Sequence, residues 1–299
     1  EKAGKQVQIP KGTFQLLHGE NHSVTQKLVS HPKTACVAFT GSLAGGRALF
    51  EVNSKREKPV PFHAEMGSLN PVIALPNKIL QESTVLASKY LEAVTLFGGQ
   101  MCTKPGALFL IDSSENETFF EALKAAVNSC KIFSMLNEDV YENFENCIAD
   151  LKEQHTLFAS NECNGHKIKN PAFCRIFDMN SVQFLKDSGS RTEAFGPASL
   201  LVRCKDKIDL LQCIDSFDGS LTGSIHASKK DYHLAKQVLL KLEQKVGRLI
   251  WNGFPPGVIP GLATHHGGPW PATTDSRYTS IGREAYKRFI RPVKKKHDF

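Results

Sequence analysis

The chain has 299 residues, 41% hydrophobic and 22% charged, enough apolar material for a sizeable core in one large domain or two. No apolar run approaches the roughly 18 residues a membrane helix needs, which argues against a membrane-spanning chain as well as a disordered one. The formal charge of +7 is gathered partly in Arg288, Arg291, Lys294, Lys295 and Lys296, while the other cations are scattered and most of the 19 Phe lie inside apolar runs, so no nucleic-acid surface is expected.

In chain order, Gly12 to Leu17 reads as a strand, Ser23 to Val29 as a short helix capped by Ser23, and Ala35 to Phe39 as a strand. Ala44 to Val52 follows as a helix and Pro59 to Ala64 as a further strand. This βαβαβ alternation predicts a parallel sheet, with ligands beyond the carboxyl ends of its strands. The piece is short for a complete nucleotide-binding domain, and its EKAGKQ start resembles the end of a helix, so the chain is expected to open partway through that domain. Val85, Leu86, Tyr90, Leu91, Val94 and Phe97 keep a helical period and predict a helix from Ser83 to Phe97 that stops at Gly98 and Gly99.

Beyond Cys102 a second α/β unit is expected, with a strand at Ala107 to Ile111, a helix at Glu115 to Val127, and strands near Thr156 to Phe158, Cys174 to Phe177 and Ala198 to Val202. Helices Lys207 to Phe217 and Lys229 to Val246 flank a strand at Gly223 to Ala227, and Leu249 to Trp251 closes the sheet. Residues 252–276 hold too many Gly and Pro for regular structure, and a loop of that length is functional or crosses between domains.

The eight cysteines, Cys36, Cys102, Cys130, Cys147, Cys163, Cys174, Cys204 and Cys213, contain no CxxC pair, and the start carries no secretory apolar stretch. Free thiols in a reducing cytoplasm are the expectation. Cys163, His166 and Cys174 lack a fourth ligand at a finger-like distance, so no metal is expected.

Three segments carry chemistry. Gly41, Ser42, Gly45 and Gly46 lie between a predicted strand and helix, where small residues let an anion approach free N–H groups; an ordinary tight turn explains the same residues. Glu65, at a strand end followed by Gly67, points toward a crevice where partial burial suits a general base; an exposed strand-end carboxylate is the plainer reading. Cys102 sits in a glycine turn just past a helix and is accessible, whereas the other cysteines lie mostly in apolar or helical contexts.

The segments FTGSLAGGRA, AEMGSLNP, GGQMCTKPG and EAFGP, in that order, resemble the aldehyde dehydrogenase superfamily. NGFPPGVIP and HHGGPWPATTDSRYTSIGREAYKRFIRPV resemble its branch of α-ketoglutaric semialdehyde (2,5-dioxopentanoate) and NADP-dependent fatty aldehyde dehydrogenases. The resemblance implies an α/β fold, with the remnant of a Rossmann-type parallel sheet over 1–65, a complete α/β catalytic domain over 66–266, and a return segment and tail over 267–299.

It also implies that Cys102 attacks an aldehyde, that electrons pass to NADP or NAD, and that water activated by Glu65 hydrolyses the resulting thioester. Gly41, Ser42, Gly46 and Gly67 would lie near the dinucleotide, Glu193 would bond the nicotinamide ribose and Phe195 would pack near the nicotinamide. The Cys102 N–H would hold the oxyanion in part. Roughly the first two-fifths of a family member is absent, with a second oxyanion donor and the grip on the adenosine ribose. Little activity is therefore expected of this chain alone, and a second polypeptide could supply the front half of what would be a homo-oligomer. Ser68 and Leu69 depart from the Gly and Lys, or a similar pair, of many members. An acylating, coenzyme A-type reaction and a non-catalytic module remain open alternatives. Arg277, His265 and His266 are the residues to test for holding a distal substrate carboxylate, against the plain readings of a surface Arg and loop-packing His.

Overall fold

The computed structural model describes residues 2–296 except 20, 164, 188, 190–192 and 256. After two short helices, α1 (Lys2–Gln6) and α2 (Ser23–Ser30), the strand β1 (Val37–Thr40) crosses through helix α3 (Leu43–Ser54) to the parallel strand β2 (Phe62–Glu65), with Thr40 opposite Glu65. Val29, Leu49, Phe62, Ala64 and Met66 form the small apolar cluster beneath them.

Two expectations fail in this part. Residues 12–17 form no strand, because no neighbour pairs their backbone and Phe14, Leu16 and Leu17 stay exposed, which leaves a βαβ unit in place of βαβαβ. The cap of α2 is His22, without a side-chain bond, and Ser23 is the first helical residue.

Residues 66–70 lead directly into a seven-stranded sheet of order β11-β10-β3-β4-β9-β8-β6. Its strands are β3 (Pro71–Ala74), β4 (Ala107–Ile111), β6 (Thr156–Ser160), β8 (Arg175–Asn180), β9 (Ala198–Cys204), β10 (Ser220–His226) and β11 (Val246–Trp251). All neighbours are parallel except β6, which runs against β8. A two-residue antiparallel pair, β5 (Phe133–Ser134) with β7 (Pro171–Ala172), stands apart.

Alternation along the strands sorts the core onto two faces. Val72, Ala74, Leu108 and Leu110 pack against helices α4 (Pro76–Thr95) and α5 (Glu117–Asn128). Ile73, Phe109, Leu200 and Val202 face the opposite layer, with Phe144 and Ile148 of α6 (Glu138–Gln154), Phe184 of α7 (Ser181–Lys186), Leu210 and Ile214 of α8 (Lys207–Ser216), and Ala235 and Val238 of α9 (Tyr232–Leu242). β4 has the expected bounds, while α4 begins seven residues before the expected Ser83, at a proline in its first turn where the missing N–H costs nothing. α9 is shorter than expected at both ends, bounded by a 3-10 turn at Lys229–Asp231 and by β11.

Past β11 the described residues of 252–276 form no helix or strand, as expected. Residues 272–274 run antiparallel beside β2: the Met66 N–H donates to the Ala272 carbonyl at 2.8 Å and the Thr274 N–H to the Ala64 carbonyl at 3.1 Å. Among the described residues no helix is long and apolar enough to cross a membrane.

Candidate active site

Three segments meet where β2 ends and where β3 and β4 begin. The first brings Glu65, the last residue of β2, followed by Met66 to Asn70. The second is the turn between α4 and β4. After Thr95 the backbone enters the left-handed region at Phe97 (φ 51°), Gly98 (65°) and Gly99 (69°), which ends the helix and presents Cys102. Gly99 is further constrained because a Cβ there would lie 2.2 Å from the Gly196 carbonyl oxygen. The third is the stretch past β11, which carries His266 and Ser280.

Asn70 binds the first two segments together. It is fully buried in the left-handed region (φ 49°), and its Nδ2 donates to the carbonyls of Cys102 at 2.9 Å and Lys104 at 3.0 Å. Its Oδ1 accepts from Ser68 Oγ at 2.8 Å and Thr222 Oγ1 at 2.9 Å. One side chain thus fixes the Cys102 turn to β3 and β10.

The Cys102 sulfur lies 3.5 Å from His266 Nε2, and His266 Nδ1 lies 2.8 Å from Glu65 Oε2. Ser280 Oγ also donates to Glu65 Oε2, while the Thr279 hydroxyl accepts the His266 N–H at 2.9 Å. One reactive atom each from Cys102, His266 and Glu65 falls within 4.8 Å of the other two. Glu65 and His266 are buried, and Cys102 is half-buried. Both bonds to Glu65 fall on Oε2, so among the described residues Oε1 is free to accept from a water molecule.

Burial alone would lower the pKa of His266, but its hydrogen bonds to Cys102 and Glu65, and their charges, outweigh it and push the pKa up to about 9. The imidazole is then a cation at neutral pH, lying between a sulfur and a carboxylate. These three atoms have metal-ligand chemistry too, but here the imidazole nitrogens are engaged with sulfur and carboxylate, a proton-transfer arrangement. Sequence reasoning named His266 only as a carboxylate holder and passed over Ser280. The one signal for them was their place in the long Gly/Pro-rich segment and just beyond it.

The residues expected near a dinucleotide fall into two groups. Ser42 caps α3, its hydroxyl accepting the Gly45 N–H at 3.2 Å, and the Gly41 N–H donates to the Glu65 carbonyl at 3.1 Å. Gly46 faces inward, where a Cβ would meet the Met66 sulfur at 2.4 Å, so its smallness serves packing. Gly67 lies against Glu193, whose Oε2 would be 2.6 Å from a Cβ.

Glu193 is half-buried, with its Oε1 buried and unpartnered, and burial pushes its pKa up to about 7 against the pull of Lys104. Lys104 is itself buried and donates from Nζ to the carbonyls of Ala194 at 3.1 Å and Ala198 at 2.8 Å. Phe195 keeps an exposed ring, 38% accessible. An unpartnered buried carboxylate oxygen beside a glycine and an exposed aromatic ring fits the hydroxyl-bearing ribose and flat nicotinamide of a dinucleotide.

Other expectations are corrected. Arg277 is exposed and bound in bidentate fashion to Asp275, Nε at 2.9 Å and Nη2 at 2.7 Å, so its charge is already matched outside the site. His266 is held by Cys102 and Glu65 and is not left for a distal carboxylate. His265 sits beside Gly267 with no side-chain hydrogen bond among the described residues.

The sequence profile described as "Aldehyde dehydrogenase family" matches residues 2–269. An alpha-ketoglutaric semialdehyde dehydrogenase 2 of Azospirillum brasilense is 35% identical over 288 residues, 95% of this chain and 54% of the relative. An alpha-ketoglutaric semialdehyde dehydrogenase of Acinetobacter baylyi is 36% identical over 294 residues, 98% of this chain and 56% of its own length. The chain thus spans about half the length of these curated relatives. Among solved structures, proline utilization A of Bdellovibrio bacteriovorus superposes with a TM-score of 0.81 at 21% identity over 98% of this chain and 30% of its own. A 1-pyrroline-5-carboxylate dehydrogenase of Thermus thermophilus does so with 0.78 at 20% identity over 95% and 55%, which shows a shared fold.

Proposed function

This chain belongs to the aldehyde dehydrogenase family, and from that premise we propose that it carries the thiol and base for NAD(P)-dependent oxidation of an aldehyde to a carboxylic acid, a semialdehyde such as 2,5-dioxopentanoate being the substrate. The observation that carries this reading is the cluster of Cys102 sulfur, His266 imidazole and Glu65 carboxylate within 4.8 Å.

The Cys102 sulfur, 3.5 Å from the His266 imidazole, adds as a thiolate to the carbonyl carbon. In this reading the Cys102 N–H meets the oxygen that gains charge in that addition. A bound nicotinamide dinucleotide would supply the two-electron acceptor, and Glu193, Gly67 and Phe195 are the residues that would hold its ribose and ring. The acyl group left on sulfur is a thioester, a good acyl donor to water. Glu65 Oε1 accepts the proton of that water, while His266 and Ser280 fix the orientation of the carboxyl through Oε2. In the same reading residues 1–65 belong to a dinucleotide-binding unit, 66–266 to the catalytic unit and 267–299 to the segment returning between them.

The test needs no cofactor. With p-nitrophenyl acetate, the chain should release a burst of nitrophenolate stoichiometric with Cys102, followed by slow turnover. Cys102→Ser should lose both phases, and Glu65→Gln should keep the burst and lose the turnover. Turnover that survives in Glu65→Gln would remove Glu65 as the base and favour an acyl acceptor other than water.

A further inference from the structure

Arg248 of β11 is the cation that the site leaves without an assigned task. Two independent routes through the structure tie its backbone to Cys102. Arg248 pairs in register with Thr222 of β10, whose hydroxyl donates to Asn70 Oδ1 at 2.9 Å, and Asn70 Nδ2 holds the Cys102 carbonyl at 2.9 Å. Its neighbour Gly247 lies so close to the returning segment that a Cβ would come 1.8 Å from the Gly267 carbonyl oxygen, one residue from the His266 that contacts the Cys102 sulfur.

The guanidinium is half-buried, and among the described residues it pairs with no carboxylate. Nη1 donates to the Gly257 carbonyl at 3.4 Å and Nη2 to the Pro255 carbonyl, while Nε is buried with no acceptor. Burial draws the pKa of Arg248 below the usual arginine value, with the charge of the Cys102 sulfur opposing it, and the in-register pairing puts the Arg248 side chain on the sheet face from which Thr222 reaches Asn70. A partly desolvated cation with an unmatched donor and no counter-charge is costly to keep unless an anion joins it. Arginine's planar fork suits a carboxylate.

We propose that Arg248 selects acidic aldehydes, its guanidinium receiving the distal carboxylate of an oxo acid whose aldehyde carbon sits at Cys102. The inference deepens the reading of Cys102 as the nucleophile and rests on it. Nη1 and Nη2 already donate to the Gly257 and Pro255 carbonyls, so a bound carboxylate joins a guanidinium that the chain itself holds in place. Arg248 takes the task that the sequence alone suggested for Arg277.

Alkylation of Cys102 tests this without turnover. The probes are two pairs matched in size, iodoacetate with iodoacetamide and 5-iodopentanoate with its amide, with modification at Cys102 followed by peptide mass spectrometry. In Arg248→Gln the ratio of anionic to neutral rate constants should fall at least tenfold for one of the pairs, and Arg248→Lys, which restores charge without the fork, should recover most of it. A thermal melt of each variant reports whether the substitution has weakened the fold. Equal losses for both members of each pair, or ratios that do not move, would overturn the role of Arg248 and leave Cys102 as the nucleophile. Failure of all four reagents to modify Cys102 in the unaltered chain would instead overturn the nucleophile reading, and this inference with it.

Discussion

Replacing His266 by Gln removes the one cation that, among the described residues, touches the Cys102 sulfur. At the observed 3.5 Å and an effective dielectric constant of about 20, an imidazolium attracts a thiolate by about 4.7 kcal/mol. The Glu65 carboxylate, within 4.8 Å, repels it by at least about 3.5 kcal/mol on the same scale, leaving a net attraction of at most about 1.2 kcal/mol. Gln keeps a polar group in place and loses the attraction while the repulsion stays. Because the sulfur is half-buried, solvent screens a good part of this. The rate constant for iodoacetamide alkylation of Cys102 at pH 7 should then fall by a factor on the order of ten in His266→Gln. The double variant His266→Gln with Glu65→Gln should recover most of that loss, since the repulsion is gone too. Stopped reactions read by peptide mass spectrometry give the rate constants. If the single variant reacts as fast as the unaltered chain, His266 does not act on the sulfur.

Asn70→Ala should lower the unfolding free energy by roughly 4 kcal/mol in a urea titration, because it orphans buried partners on three segments and leaves Ala in the left-handed region; a loss below 1 kcal/mol would contradict the role assigned to it. Gly247→Ala should cost about 1 to 3 kcal/mol in the same titration and slow alkylation of Cys102, since the Gly267 carbonyl must move and His266 adjoins it. For His226, burial and then the charge of Lys78 press the pKa down to about 4, and Nε2 has no partner. The unfolded chain therefore binds a proton that the folded one refuses between about pH 6.5 and 4, so stability falls as the pH drops through that window, by about 2 kcal/mol at pH 5. His226→Gln should be less sensitive to acid over the same interval, and equal slopes for the two proteins would refute this.

The fold was legible where the residue pattern itself decides it. Ala107–Ile111 is apolar at every position and became the central strand β4 at the expected bounds. The four residues of β3 were missed because Pro71 opens them and Pro76 follows closely, so local signals read as a turn; the strand exists because β4 and β10 flank it on both sides. The 17-residue helix α6 escaped because it buries only Phe144 and Ile148 beneath an acidic surface. Residues 12–17 show the converse, an apolar alternation with nothing to pair it.

At the site, Glu65 and Cys102 stood out through the glycines beside them. His266 did not stand out as a partner of the sulfur, nor Ser280 as a partner of Glu65, because long-range folding brings them there, 164 residues along the chain in the case of His266. No local pattern announces the partner of a side chain so distant in the chain. Arg277 drew attention as the cation of that loop, but Asp275, two residues away, matches its charge locally.

The central claim is that acyl transfer passes through the Cys102 sulfur and ends at water held by Glu65. The most direct measurement is the mass of the Cys102 peptide after a brief exposure of the chain and of Glu65→Gln to p-nitrophenyl acetate, quenched in acid. The account predicts an acetyl adduct on Cys102 that persists in Glu65→Gln and decays in the unaltered chain. An adduct confined to any other residue, or one that decays equally fast in both, would contradict it.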